Sequence, residues 1–269
     1  MTPDRRSFLA ASAAAGALAV SSAARAADAP DKPGRTKNTK FAVNVEMWWN
    51  KEKDFLKRLE AAAALGFPAV EFWPWENKNV PAVAETCQRL GLTVIQFTAW
   101  GFKPGLNDPK NHAAFVEKID KSCEVAKQLR CPMMTVEAGD DIPGVPQEQM
   151  HAAVIEGLRK AAPVAEKHGV VLILEPMNVR VDHKGHCLYG SAPAIRIIQA
   201  VGSKFVKLNW DLYHMHISEG DLCGHLREGF AADAIAYVQL ADHPGRNQPG
   251  TGEINYSRVL KELKALKYD

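Results

Sequence analysis

The chain has 269 residues, with 33 lysines and arginines against 31 aspartates and glutamates. A formal charge of +2 offers no general attraction to nucleic acid or anionic lipid. The five cysteines, Cys87, Cys123, Cys131, Cys187 and Cys223, are odd in number and lack C-x-x-C spacing, which argues against a disulfide framework and for small buried apolar residues.

The first residues read as an address rather than as fold. Arg5-Arg6 precedes an Ala-rich apolar run, Phe8 to Val20, and Ala24-Arg25-Ala26 supplies a small-x-small cleavage pattern. The run is shorter than the roughly 20 apolar residues that a membrane span needs. Residues 1–26 are therefore expected to be a twin-arginine export signal, delivering an already folded protein to a bacterial periplasm. Its removal takes away Arg5, Arg6 and Arg25 against one acid, Asp4, and leaves a neutral chain without a membrane anchor. Residues 27–40 read as a polar linker, and the globular domain is expected over 41–269.

From Phe41 short apolar runs alternate with longer amphipathic ones. The predicted strands are Phe41–Val45, Ala69–Phe72, Thr93–Phe97, Met133–Val136, Val170–Leu174, Phe205–Asn209 and Ile235–Leu240. Several are apolar almost without interruption, as strands of a parallel sheet covered on both faces should be. The predicted helices are Lys53–Leu65, Val80–Leu90, Lys110–Leu129, Gln147–His168, Ala192–Val201, Asp221–Gly229 and Tyr256–Leu266, with Gly66, Gly91 and Gly169 as stop signals.

This alternation predicts an α/β fold, a (β/α)8 TIM barrel in one domain. A doubly wound open sheet is the rival, but its nucleotide-binding glycine signatures are absent. The chain reaches Asp269 where an eighth strand is expected. The predicted barrel therefore has a gap between its seventh and first strands, with two unpaired sheet edges.

The chemistry-bearing residues sit at strand ends. Val170-Val-Leu-Ile-Leu174 delivers Glu175, a carboxylate that is costly to bury unless paired or metal-bound. Phe205 to Trp210 delivers Asp211 in the same way, with His214 and His216 beyond it; a helix-capping role is the plainer reading of Asp211. Gln239 lies inside an apolar strand, as a core amide or as a ligand oxygen. Glu253 precedes the last helix, where a helix-start carboxylate would also be favoured. Two glutamates, an aspartate and an amide oxygen form an oxygen-rich set that suits Mg²⁺ or Mn²⁺ better than zinc.

The carrying segments are Phe41-Ala-Val-Asn44, Gly66-Phe-Pro-Ala-Val-Glu-Phe72, Leu174-Glu-Pro-Met-Asn178, Asp211-Leu-Tyr-His-Met215, Gln239-Leu-Ala-Asp-His-Pro-Gly-Arg246 and Pro249-Gly-Thr-Gly-Glu-Ile-Asn255. In these the chain resembles the hydroxypyruvate isomerase family of xylose isomerase-like barrels. The resemblance implies a divalent metal, Mg²⁺ or Mn²⁺, held by Glu175, Asp211, Gln239 and Glu253, with Glu175 and Glu253 as catalytic acid and base. The similar sugar-epimerase branch usually has His where this chain has Gln239.

The implied reaction interconverts a small hydroxy-keto acid and its aldehyde isomer through an enediolate, hydroxypyruvate to tartronate semialdehyde in type. His214 and Arg246 are candidates for substrate binding, Arg246 through a carboxylate. Asp242 and His243 could support the ligands. Lys184 and His186 lie in a loop that could close, and Gln96 could touch substrate or pack in the core. Trp48, Trp49, Trp73 and Trp75 could wall a sugar-sized pocket, and His168 reads as a helix-terminus residue. The expected partner is a small hydroxy-keto acid or sugar, with no nucleic acid; by analogy with related barrels, a homo-oligomer is expected. The alternatives are a sugar epimerase, a non-catalytic periplasmic sugar-binding barrel and a barrel endonuclease; the last would need a His-rich zinc cluster and a basic face.

Overall fold

A computed structural model describes residues 32–37 and 39–268; the predicted export signal lies outside them. Seven strands form one all-parallel sheet in chain order: β1 (Ala42–Asn44), β2 (Ala69–Phe72), β3 (Thr93–Trp100), β4 (Met133–Glu137), β5 (Val171–Glu175), β6 (Val206–Asp211) and β7 (Ile235–Gln239). All seven lie where the apolar runs predicted them. Four, however, run past the predicted ends: β3 to Trp100, and three others into carboxylates. Glu137, Glu175 and Asp211 are the last residues of β4, β5 and β6, so each carboxylate is held by sheet rather than loop.

The helices are α1 (Val45–Trp48), α2 (Phe55–Ala64), α3 (Val80–Leu90), α4 (His112–Leu129), α5 (Gln147–His168), α6 (Ser191–Val201), α7 (Leu212–Ser218), α8 (Leu222–Ala231) and α9 (Tyr256–Ala265). Two of them, α1 and α7, are absent from the sequence expectation. Each is too short to show a 3.6-residue period, and five of the seven residues of α7 are buried. Elsewhere the amphipathic pattern is obeyed: Leu59, Phe115, Ile119, Leu158, Ile197 and Leu226 turn inward and are fully or almost fully buried. Gly91 and Gly169 end α3 and α5 in left-handed conformations, φ 68° and 70°, where a Cβ would be strained. All five cysteines are unpaired.

The sheet is TIM-barrel-like, a curled parallel sheet lacking a strand between β7 and β1 among the described residues. On the open edge of β7, the Val238 N–H donates to the Tyr268 hydroxyl at 3.0 Å. Across the interior, Glu71 of β2 ties the sheet together. Its carboxylate accepts from Asn44 Nδ2 of β1 at 3.3 Å, Gln96 Nε2 of β3 at 3.1 Å, Tyr237 Oη of β7 at 2.7 Å and Gln239 Nε2 of β7 at 2.8 Å. Gln96 Oε1 in turn accepts from Thr135 of β4. The Asn209 Nδ2 of β6 donates to Gln239 Oε1 and to Glu175 Oε2 of β5. One hydrogen-bonded chain therefore visits every strand of the sheet.

Replacing Glu71 by Ala strands four donors in the interior and should cost roughly 3 kcal/mol or more. The exposed Glu85→Ala on α3 should stay within about 0.5 kcal/mol of wild type. Urea denaturation of the two variants measures the contrast.

Candidate active site

The C-terminal ends of β4, β5 and β6 bring together more acid than the sequence reading anticipated. Glu175, Asp211 and His214 each contribute one atom to a buried group lying within 4.8 Å of one another. Asp211 plays both roles considered for it: it caps α7 through the Tyr213 N–H at 2.8 Å, and its other oxygen faces the cluster. Because His214 lies three residues on, the first turn of α7 carries its ring back over the same strand end. Its Nε2 stands 3.6 Å from Asp211 Oδ2 and 3.9 Å from Glu175 Oε1.

Glu137 is the residue that sequence reasoning missed. It pairs with Glu175 in the β4–β5 register, is 5% exposed, and has no hydrogen-bond partner for Oε2. The signal was present: Met133-Met-Thr-Val136 releases Glu137 much as the following strand releases Glu175. Gln239 is a hydrogen-bonded core amide, and its bonds also set its direction. With Nε2 held by Glu71, Oε1 turns toward Asn209, whose Nδ2 also reaches Glu175.

Arg246 is the cation among these acids, its Nη2 3.0 Å from Asp211 Oδ2 and its guanidinium 5.1 Å above the Tyr213 ring. Glu253 is not drawn in. Its side chain is 60% exposed and sits 2.7 Å from His216 Nε2. The loop that bears it is fastened by Asp242, which is fully buried and accepts from the amides of His243, Gly250 and Ile254. Gly252 packs so tightly there that a Cβ would fall 2.1 Å from the His243 carbonyl oxygen.

The remaining candidates scatter. Gln96 belongs to the interior network. Trp75 bonds Ser122 on α4 and Trp49 packs against the core, whereas Trp48 and Trp73 are exposed. His186 is buried with both ring nitrogens unpartnered, Lys184 is exposed, and His168 faces Asp120 near the end of α5.

Electrostatics follow from burial. Burial and the neighbouring Asp211 push the Glu175 carboxyl up to about 8, with Arg246 opposing and Glu71 adding. Burial and then Glu175 raise Glu137 well above the ordinary carboxylate range. Burial takes the His214 imidazole down to about 4 and His186 to about 3. A divalent cation suits this set: several buried carboxylates, one unpartnered oxygen on Glu137 and an amide oxygen on Gln239 are the hard donors such ions prefer.

The xylose isomerase-like TIM barrel family matches residues 59–269, and the chain belongs to it. It is 33% identical to a hydroxypyruvate isomerase of Escherichia coli over 240 residues, 86% of this chain and 90% of that one. It is 35% identical over 240 residues to a 2-oxo-tetronate isomerase of Cupriavidus necator, covering 86% and 89%. Among solved structures, one titled AP endonuclease, family 2, from Brucella melitensis superposes with a TM-score of 0.79 at 26% identity, covering 85% of this chain and 89% of that one. With relatives of this kind, the chain is an isomerase. No helix among the described residues is long and apolar enough to cross a membrane.

A raised carboxyl pKa means that the native state keeps a proton the unfolded chain has released, so stability falls as pH rises toward about 8. Below about 6.5 the neutral buried histidines act in the opposite sense, since the unfolded chain then takes up protons that they refuse. Between about pH 6.5 and about pH 8 the carboxyl effect is isolated by comparing wild type with Glu175→Gln, because the histidines contribute equally to both. Calorimetry of metal-free protein should show Tm falling across that window by about 5 °C for a contribution of ~2 kcal/mol, and Glu175→Gln should flatten the slope.

Proposed function

We propose that the protein isomerises a small hydroxy-keto acid to its aldehyde isomer, in the manner of hydroxypyruvate to tartronate semialdehyde, using Mg²⁺ or Mn²⁺. The observation that carries this reading is the buried cluster of Glu175, Asp211 and His214 beside Glu137, in a chain whose relatives are hydroxypyruvate and 2-oxo-tetronate isomerases. Glu175, Asp211 and the Gln239 oxygen would hold the ion, and Glu253 would complete the set once its side chain leaves His216. When bound, the ion supplies Lewis-acid polarisation of the substrate carbonyl.

The residues of the chain do the rest. A carboxylate oxygen of Glu175 takes the proton from the carbon beside the carbonyl, leaving an enediolate. A carboxyl of raised pKa is suited to that task, because it can accept and return a proton near neutrality. His214 Nε2 hydrogen-bonds a substrate oxygen, and Arg246 leaves Asp211 for the carboxylate of the hydroxy-keto acid. The second proton transfer falls to Glu253. The hydroxyl proton passes from the terminal oxygen to the former carbonyl oxygen, and protonation of the former carbonyl carbon gives the aldehyde. The enzyme works in the periplasm if residues 1–26 act as their pattern predicts.

The test is solvent deuterium exchange into hydroxypyruvate and 2-oxo-tetronate with Mn²⁺ present. Glu175→Gln should lose roughly 100-fold or more in exchange rate, and Glu253→Gln should keep the fold and the exchange at the abstracted carbon but form no aldehyde. Undiminished aldehyde formation in Glu253→Gln with loss in Glu137→Gln would move the second transfer to Glu137. No exchange in wild type would overturn the isomerase chemistry in favour of a binding protein. Arg246→Met should raise KM for the acid by about tenfold or more, the worth of a charged hydrogen bond, and leave a neutral ketose untouched.

A further inference from the structure

The loop after β5 shows which nitrogen of His214 carries hydrogen. Asn178 and His214 are both fully buried. The Asn178 side-chain oxygen accepts from the Val181 and Asp182 amides at 3.0 and 3.1 Å. A backbone N–H can only donate, so those two bonds fix which end of the amide is oxygen and which is the NH₂ group. The NH₂ group donates to Asp182 Oδ2 at 2.7 Å and lies 2.7 Å from His214 Nδ1. The Asn178 backbone N–H points at the same ring nitrogen from 3.4 Å. With two donors converging on it, Nδ1 holds a lone pair, and the single hydrogen of the neutral ring sits on Nε2. Nε2 has no protein hydrogen-bond partner and faces the gap between Asp211 and Glu175.

We propose that Asn178 is a positioning residue that locks His214 as an Nε2–H donor, so that the ring serves a substrate oxygen and not the metal ion. The assignment rests on the isomerase reading for the identity of that oxygen, but the tautomer itself does not. Spacing alone would let Glu175, Asp211 and His214 share a cation. A nitrogen that carries hydrogen has no lone pair to give one. The ring instead presents a neutral donor, in a dry site, to the oxygen on which negative charge develops as the proton leaves. Asn178 thereby keeps the ion on oxygen ligands. Asn178→Asp exchanges donor for acceptor at Nδ1, draws the ring hydrogen to that side, and turns the Nε2 lone pair toward the acids.

Long-range ¹H–¹⁵N spectra of metal-free protein, ¹⁵N-labelled at histidine and assigned through His214→Gln, read the tautomer directly. The proposal expects Nε2–H at His214 in wild type and Nδ1–H in Asn178→Asp. That variant should bind Mn²⁺ at least about tenfold more tightly, as a gained nitrogen ligand implies. Its kcat on hydroxypyruvate should fall by about 100-fold or more, as a wrongly protonated catalytic imidazole does elsewhere. Nδ1–H or a doubly protonated ring in wild type at neutral pH overturns the proposal, as does an Asn178→Asp ring still protonated on Nε2. Should Asn178→Asp fail to fold, the wild-type spectrum decides alone. An Nε2–H ring in a protein that turns over no hydroxy-keto acid would sink the isomerase reading and leave the tautomer lock standing.

Discussion

The structure depends on one buried carboxylate in the barrel interior. Glu71 accepts hydrogen bonds from β1, β3 and β7, and so replaces backbone pairing across the gap in the sheet with side-chain pairing through its interior. A charge in that position is tolerable only because four donors surround it. The same bonds aim the Gln239 oxygen at Asn209 and the acids beyond. Scaffold and site therefore share a network, and the orientation of a candidate ligand is fixed by a residue on the far side of the barrel.

Above that network the balance of charge reverses. Glu137, Glu175 and Asp211 end three adjacent strands, and Arg246 is the cation placed among them. Glu137 and Glu175 pair in the β4–β5 register, whereas Asp211 ends β6 two residues beyond the level of Glu175 and shares the His214 ring with it. Their repulsion is what lifts Glu175 and Glu137 beyond what burial alone would do. Such a cluster costs stability while unliganded and is suited to capture a cation or to hold protons near neutral pH.

Much of this was legible in the sequence, for identifiable reasons. The unbroken apolar run Val170–Leu174 ending in Glu175, and the alternating run Phe205–Trp210 ending in Asp211, announce a strand and its polar end in one pattern, and the strand order follows from simple alternation. The same pattern marks Glu137, although its run is interrupted by Thr135, whose hydroxyl is satisfied by Gln96 across the interior. Three features were not legible. The helix α7 is too short for periodicity and owes its existence to burial and the Asp211 cap. Glu253, last of the oxygen-rich set, sits in a loop whose path is dictated by Asp242, a local geometry that no periodic signal encodes. The pairing of Asn178 with His214, separated by 36 residues, likewise needed coordinates.

The Asp242 fastening has a consequence for how this barrel could change. Arg246 and Glu253 hang from one short loop, closed at its base by bonds from a single aspartate to three amides. The group that would choose an acidic substrate and the group that would act on it are thus a single heritable cassette. An exchange of this loop between barrels would carry both traits together, whereas point substitutions that reshape its path would disturb one whenever they adjusted the other.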